Sequence, residues 1–167
     1  MLFIINNFDT IDPNFKKDLL DSDYSTWIVA RNLRLNGYSV TLPPIGIRPD
    51  TTAIREYADN GDLIVNGSII EVKHRPDLKF GGLDEFPYST LIVDVKHHFD
   101  SLEVKPKYYV ICNSTLSGAI IVSGKTFEKW TTSTRWDNKR GRTRTFYLVD
   151  TRLCNFWNFG ERPRFGF

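Results

Sequence analysis

Hydrophobic and polar positions change their period several times along the chain, and each change marks an element. From about Ser22 to Asn36 the apolar residues Trp27, Ile28, Leu33 and Leu35 recur among polar ones and predict a helix. Ser22 or Asp23 can cap it, and Gly37 can end it in the left-handed conformation. Tyr38 to Leu42 alternates like a strand, which Pro43-Pro44 stops. A short helix is expected over Thr51 to Ala58. Two β-prone runs then flank Asn66-Gly67, between Asp62 and Lys73, and predict a hairpin with a two-residue type I′ turn. Residues 75 to 87, rich in Pro, Gly and charge, read as a loop. Ser89 to Val95, Lys107 to Cys112 and Ala119 to Val122 read as strands, with short helices around Lys96 to Leu102 and Lys125 to Trp130. A basic loop from Arg135 to Arg144, a strand at Thr145 to Val149 and an aromatic, Gly-rich end complete the chain. The sum is an α/β domain with a mixed central β-sheet flanked by helices.

Composition narrows the class. The 167 residues are 41% hydrophobic and 25% charged, enough apolar material for one packed domain and too much for wholesale disorder. No apolar run approaches the roughly 20 residues that span a bilayer, and Met1-Leu2-Phe3-Ile4-Ile5 gives way at once to Asn and Asp. The expectation is a soluble, cytoplasmic protein with no membrane partner. Cys112 and Cys154 form no CxxC pair, so neither a zinc site nor a disulfide framework is indicated. The net charge of +2 hides an asymmetry: residues 1 to 124 hold 12 Lys and Arg against 16 acids, and residues 125 to 167 hold 10 against 4. That positive end would attract a polyanion.

The hairpin brings in the chemistry. Counting outward from Asn66-Gly67, Val65 faces Ser68, Ile64 faces Ile69, Leu63 faces Ile70 and Asp62 faces Glu71. The two carboxylates become cross-strand neighbours, their Cβ atoms roughly 4.5 to 5.5 Å apart, with Lys73 one step further along the same face. Like charges placed opposite each other call for a compensating cation. Oxygen donors suit Mg²⁺ or Mn²⁺, with Asp62, Glu71, the Val72 backbone carbonyl, water and a substrate phosphate completing the shell. Lys73 can then orient or deprotonate an attacking water, or stabilise charge growing on phosphate. The competing interpretation is a solvated hairpin whose Glu71 and Lys73 alternate outward.

Asp62 followed by Glu71-Val72-Lys73 after a short hairpin resembles the PD-(D/E)xK nuclease superfamily, which includes restriction endonucleases, Holliday junction resolvases and many phage nucleases. The stretch from Glu71-Val72-Lys73-His74-Arg75 through Phe86-Pro87-Tyr88 to Leu91-Ile92-Val93-Asp94 looks like small phage-type members, which would place the protein in a host cytoplasm. The resemblance covers about residues 22 to 112, with 125 to 167 as a basic C-terminal extension. It implies a restriction-endonuclease-like α-β-β-β-α-β core, the first acid on its second strand and the ExK on its third. It also implies a metal-dependent endonuclease acting on DNA, or a catalytically inactive relative that binds nucleic acid or regulates. Two departures stand out: Gly61 replaces the motif's proline, and the first helix lacks the Glu that many members carry, a role Glu56 would have to take.

Other residues have competing interpretations. Arg135, Lys139, Arg140, Arg142 and Arg144, with Trp136 beside them, form either a phosphate grip with a stacking ring or a solvated hairpin tip. Arg75 returns to the face of Lys73 and can touch a phosphate, whereas His74 faces away toward core or rim. His97 and His98, being adjacent, point apart and do not share a metal. Asp94 reads as a helix cap or as a further site residue. Phe156-Trp157-Asn158-Phe159 and Phe165-Gly166-Phe167 read as core or as a subunit contact in a possible homodimer.

Overall fold

A computed structural model describes residues 13–43, 61–138 and 141–166. The expected helix at 51 to 58, Glu56, Lys139 and Arg140 lie outside the described residues. Helix α1 (Pro13–Leu35) ends as anticipated: Gly37 has φ +83°, its N–H donates to Arg34 O at 3.0 Å, and the Tyr38 N–H donates to Leu33 O at 3.1 Å. This paired closure satisfies carbonyls that a helix terminus otherwise leaves open. The buried face is only partly the one expected: Leu33 is buried, but Trp27 and Leu35 are exposed, and Ser25, Thr26, Val29 and Ala30 complete the buried side.

Strands β1 (Val40–Thr41), β2 (Leu63–Val65) and β3 (Ser68–His74) form an antiparallel meander. Asn66 and Gly67 have φ +47° and +76°, as a type I′ turn requires. The β2–β3 ladder pairs Leu63 with Ile70, Ile64 with Ile69 and Val65 with Ser68, the register counted from the turn. Next come β4 (Thr90–Val95), the short helix α2 (Lys96–Ser101), β5 (Tyr108–Cys112) and β6 (Gly118–Ser123). A 3₁₀ turn over Gly124–Lys129 replaces the expected α-helix, and β7 (Thr131–Asp137), β8 (Arg142–Asp150) and β9 (Asn155–Asn158) complete the order.

Two sheets result. The larger is mixed, in the order β1-β2-β3-β5-β6-β9, with β3 and β5 parallel. The smaller is antiparallel, in the order β4-β8-β7. The expectation that helices cover both faces of one sheet therefore needs correction. On one face α1 packs over Leu63, Val65, Ile70, Val72, Val110 and Trp157. On the other, Tyr109, Ile111, Ile120 and Val122 meet Leu91, Val93, Tyr147 and Val149 of the second sheet, with Phe99 of α2 and Trp130 at one end. The segment 89 to 95 thus leaves the central sheet, and β5 takes the place beside β3. Residues beyond 125 contribute strands to both sheets. The expected loop at 135 to 144 is strand at both ends, with Arg135 on β7 and Arg142 and Arg144 on its antiparallel neighbour β8.

The aromatic end is core: Trp157 is buried, and Phe165 stands edge-on to Tyr108 and Tyr38 with centroids 4.8 and 6.0 Å away. Both cysteines are buried and unpaired, and burial pushes each thiol up to about 12. Among the described residues no helix is long and apolar enough to cross a membrane.

Candidate active site

Glu71 and Lys73 lie on the face of β3 that meets the second sheet, in line with Tyr109 and Ile111 of the neighbouring β5. Alternation along β3 puts Ile70 and Val72 against α1 and turns the two charged residues inward between the sheets. Glu71 is buried and only 19% of the Lys73 side chain meets solvent, so the solvated-hairpin interpretation does not describe this face. The Lys73 ammonium is 3.3 Å from Glu71 Oε1 and 3.4 Å from Asp94 Oδ1, and lies 5.7 Å from the centre of the Tyr109 ring. Burial pulls its pKa down, but Glu71 and Asp94, with a smaller contribution from Asp62, hold it above the ordinary lysine value. The lysine is therefore a fixed positive charge.

Asp62 precedes β2 in a bend, one pair beyond the end of the β2–β3 ladder. The strand pairing therefore stops short of the Asp62–Glu71 pair counted from the turn. Instead, Asp62 Oδ2 accepts the Val72 backbone N–H at 2.6 Å, which ties the carboxylate to the edge of β3 between Glu71 and Lys73. Gly61 sets its position. It has φ +93°, and a Cβ there would fall 2.3 Å from Ile69 Cγ2, so the residue preceding the first acid has to be glycine in this fold.

The smaller sheet supplies the rest. Asp94, at the end of β4, is only 4% exposed. Its Oδ1 accepts the Val95 N–H at 2.7 Å, and its Oδ2 lies 3.1 Å from His98 Nδ1 and 3.4 Å from the Tyr109 hydroxyl. Helix α2 begins after Val95 without a side-chain cap, so Asp94 serves this cluster rather than capping the helix. Burial alone would raise its pKa, but hydrogen bonding to His98 and the charge of Lys73 keep it below the usual carboxylate range. The bond to Asp94 in turn raises His98. Burial raises the Tyr109 phenol as well, with Asp94 and Glu71 adding to it. A β-bulge between Ile92 and Asp94 marks the place where β4 delivers this carboxylate. The sequence signal for Asp94 was an acid at the end of an apolar strand; nothing local says that the strand faces Lys73.

The basic candidates divide. Arg75 donates to the Ile92 carbonyl at 3.4 Å, bridging toward β4, and burial lowers its pKa despite the nearby charge of Asp94. Arg144 pairs with Asp137 across the β7–β8 hairpin at 2.9 Å, with 16% of its side chain exposed. Arg142, Arg135 and the ring of Trp136 are exposed. An open cleft of about 400 Å³ runs between Lys96, His97 and Asp100 of α2 and the strand Arg142–Thr145. The adjacent histidines do part, His97 to this cleft and His98 to Asp94. His74 is half-buried and does not join the cluster around Lys73.

Among the described residues no three His, Cys, Asp or Glu side chains converge as a metal cage. A cation here would rest on Asp62 and Glu71 with backbone oxygen and water. The N–H and C=O of one residue leave a strand toward the same side, and the Val72 N–H points to Asp62, so its carbonyl is directed to that edge too. An all-oxygen donor set of this kind would suit Mg²⁺ or Mn²⁺ better than zinc, which prefers nitrogen and sulfur donors. Comparison with family models, with curated proteins and with solved structures found no match to this chain.

Proposed function

We propose that the protein is a metal-dependent endonuclease that hydrolyses DNA phosphodiester bonds, with Asp62, Glu71 and Lys73 as its active centre. The observation that carries this reading is a buried Glu71 and a half-buried Lys73, 3.3 Å apart on β3, with the Asp62 carboxylate clasped by the backbone N–H of Val72 between them. The element order lends support once β4, which belongs to the second sheet, is set aside: α1, the meander β1-β2-β3, then α2 and the strand β5 parallel to β3 run in the α-β-β-β-α-β order of the nuclease core that the ExK motif resembles.

Asp62, Glu71 and the Val72 carbonyl would hold Mg²⁺ or Mn²⁺, which when bound supplies charge to polarise the phosphate and lower the pKa of water. Lys73, 3.3 Å from Glu71, would stand as a charge beside the phosphoryl oxygens. Arg142, Arg135 and Trp136 are exposed and would meet a nucleic-acid backbone or base.

A second reading has its own support. The sequence of α1 contains no glutamate, so a protein of the same fold that binds nucleic acid or regulates without turnover remains the alternative. Incubation with supercoiled, linear, single-stranded and branched DNA, with Mg²⁺ or Mn²⁺ and with EDTA as control, separates the two. Metal-dependent cleavage of any of these supports the enzyme; binding without cleavage selects the alternative.

A further inference from the structure

We infer that His98, held by Asp94, is the group that protonates the leaving oxygen in this reaction; the inference rests on the nuclease reading above. An ionised carboxylate can only accept hydrogen bonds, so the 3.1 Å contact between Asp94 Oδ2 and His98 Nδ1 fixes the proton on Nδ1. That leaves Nε2 as the nitrogen that gains and loses a proton. Asp94 is itself immobilised by the Val95 N–H, the Tyr109 hydroxyl and the Lys73 ammonium. The imidazole thus stands on a support tied to both sheets, while 37% of its side chain still meets solvent.

A salt bridge serving only to start a helix needs no such support. The other i,i+4 pair of α2, Lys96 with Asp100, lies with both side chains 43% exposed, away from the cluster. The groups facing His98 are Asp94 of β4 and, from β3, Glu71, which favours its protonated form, and Lys73, which opposes it. The balance lies above the ordinary imidazole value, where a histidine is a competent acid near neutral pH. The Tyr109 hydroxyl is itself held by Asp94 at 3.4 Å, and burial pushes the phenol up, so it keeps its proton.

The step balances simply. A water oxygen attacks phosphorus, the bond from phosphorus to the leaving oxygen breaks, and its electron pair stays on that oxygen. The oxygen takes the Nε2 proton of the His98 imidazolium and departs as an alcohol. The water's surplus proton goes to solvent, from which His98 is recharged.

The test compares two DNA substrates once product ends show which bridging oxygen departs: the ordinary diester and one with sulfur at that atom, since a thiolate leaves without a proton. Both are cleaved in Mn²⁺ by wild type, His98→Ala and Asp94→Asn. His98→Ala should lose about 10²- to 10³-fold on the oxygen substrate and less than about tenfold on the sulfur one. It should keep its metal-induced rise in melting temperature, and the alkaline fall in the kcat/KM profile should vanish. Asp94→Asn should move that fall to lower pH. Equal losses on both substrates, or an unchanged rate on the oxygen substrate, would overturn the assignment of His98. A wild-type protein that cleaves neither substrate overturns the nuclease reading and this inference with it.

Discussion

Lys73 touches two carboxylates from two different sheets, and so its removal has two separable effects. Lys73→Ala leaves Glu71 and Asp94 without their shared cation. Breaking a fully buried pair costs about 3 to 5 kcal/mol; with some solvent reaching this ammonium, roughly 2 kcal/mol is expected for the metal-free protein. The variant should still bind Mg²⁺, and the metal should raise its melting temperature at least as much as in wild type, because there is more unbalanced acidity to offset. Turnover should fall sharply. A Lys73→Ala variant that loses the metal response would mean that Lys73 holds the site together and does not act on the phosphate. The Asp94–His98 pair carries a pH signature as well. Asp94 is lowered, so its contribution is in place above the ordinary carboxylate value and is lost as pH falls through the folded pKa. His98 is raised, so its contribution is complete below the ordinary imidazole value and is lost as pH rises through the folded pKa. The melting deficit of Asp94→Asn should therefore be largest between about pH 4 and about pH 6.5 and shrink on either side. A deficit constant from acid to alkali would show that neither ionisation is coupled to folding.

At the scale of elements, two glycines of the β2–β3 region differ in what they bear. Gly67 has open space around its Cα and only a positive φ to satisfy, so Gly67→Ala should cost about 1 kcal/mol. Gly61 combines a positive φ with a collision against Ile69, so Gly61→Ala should cost roughly 2 to 3 kcal/mol. Because Gly61 precedes Asp62, it should also weaken the metal response, which Gly67→Ala should leave alone; chemical denaturation with and without Mg²⁺ reads both. The β7–β8 hairpin divides similarly. Arg135→Ala and Arg142→Ala should each flatten the salt dependence of duplex DNA binding by about 0.9 in logarithmic slope. Arg144→Ala should chiefly lower stability by removing the 2.9 Å ion pair with Asp137 across the hairpin. An unchanged slope in the first two would make the hairpin a solvated surface. The β2–β3 register could be read from the chain because a two-residue turn fixes every later pair by counting. The buried face of α1 could not, since apolar Trp27 and Leu35 mark a helix without telling which side the sheet will take.

At the scale of the whole molecule, the sequence located half of the site. Asp62, Glu71 and Lys73 are eleven positions apart at most and belong to one hairpin, so local pattern brings them together. Asp94 and His98 reach Lys73 only because β4 pairs with β8, more than fifty residues onward, and the resulting sheet folds across the face of β3. No local alternation encodes such a pairing, and for the same reason the strand at 90–95 read as a member of the central sheet. The outcome is an acidic and basic cluster between two sheets, with Asp62 held at the rim by a backbone N–H. The claim that this cluster is a metal-dependent hydrolytic centre is tested most directly by nicking of supercoiled DNA in Mg²⁺ by wild type and Asp62→Asn, prepared in parallel. Wild type should cleave in a reaction that EDTA abolishes, and Asp62→Asn should lose at least about 10²-fold with folding intact. Equal nicking by both proteins, or none by wild type with either metal, would contradict it.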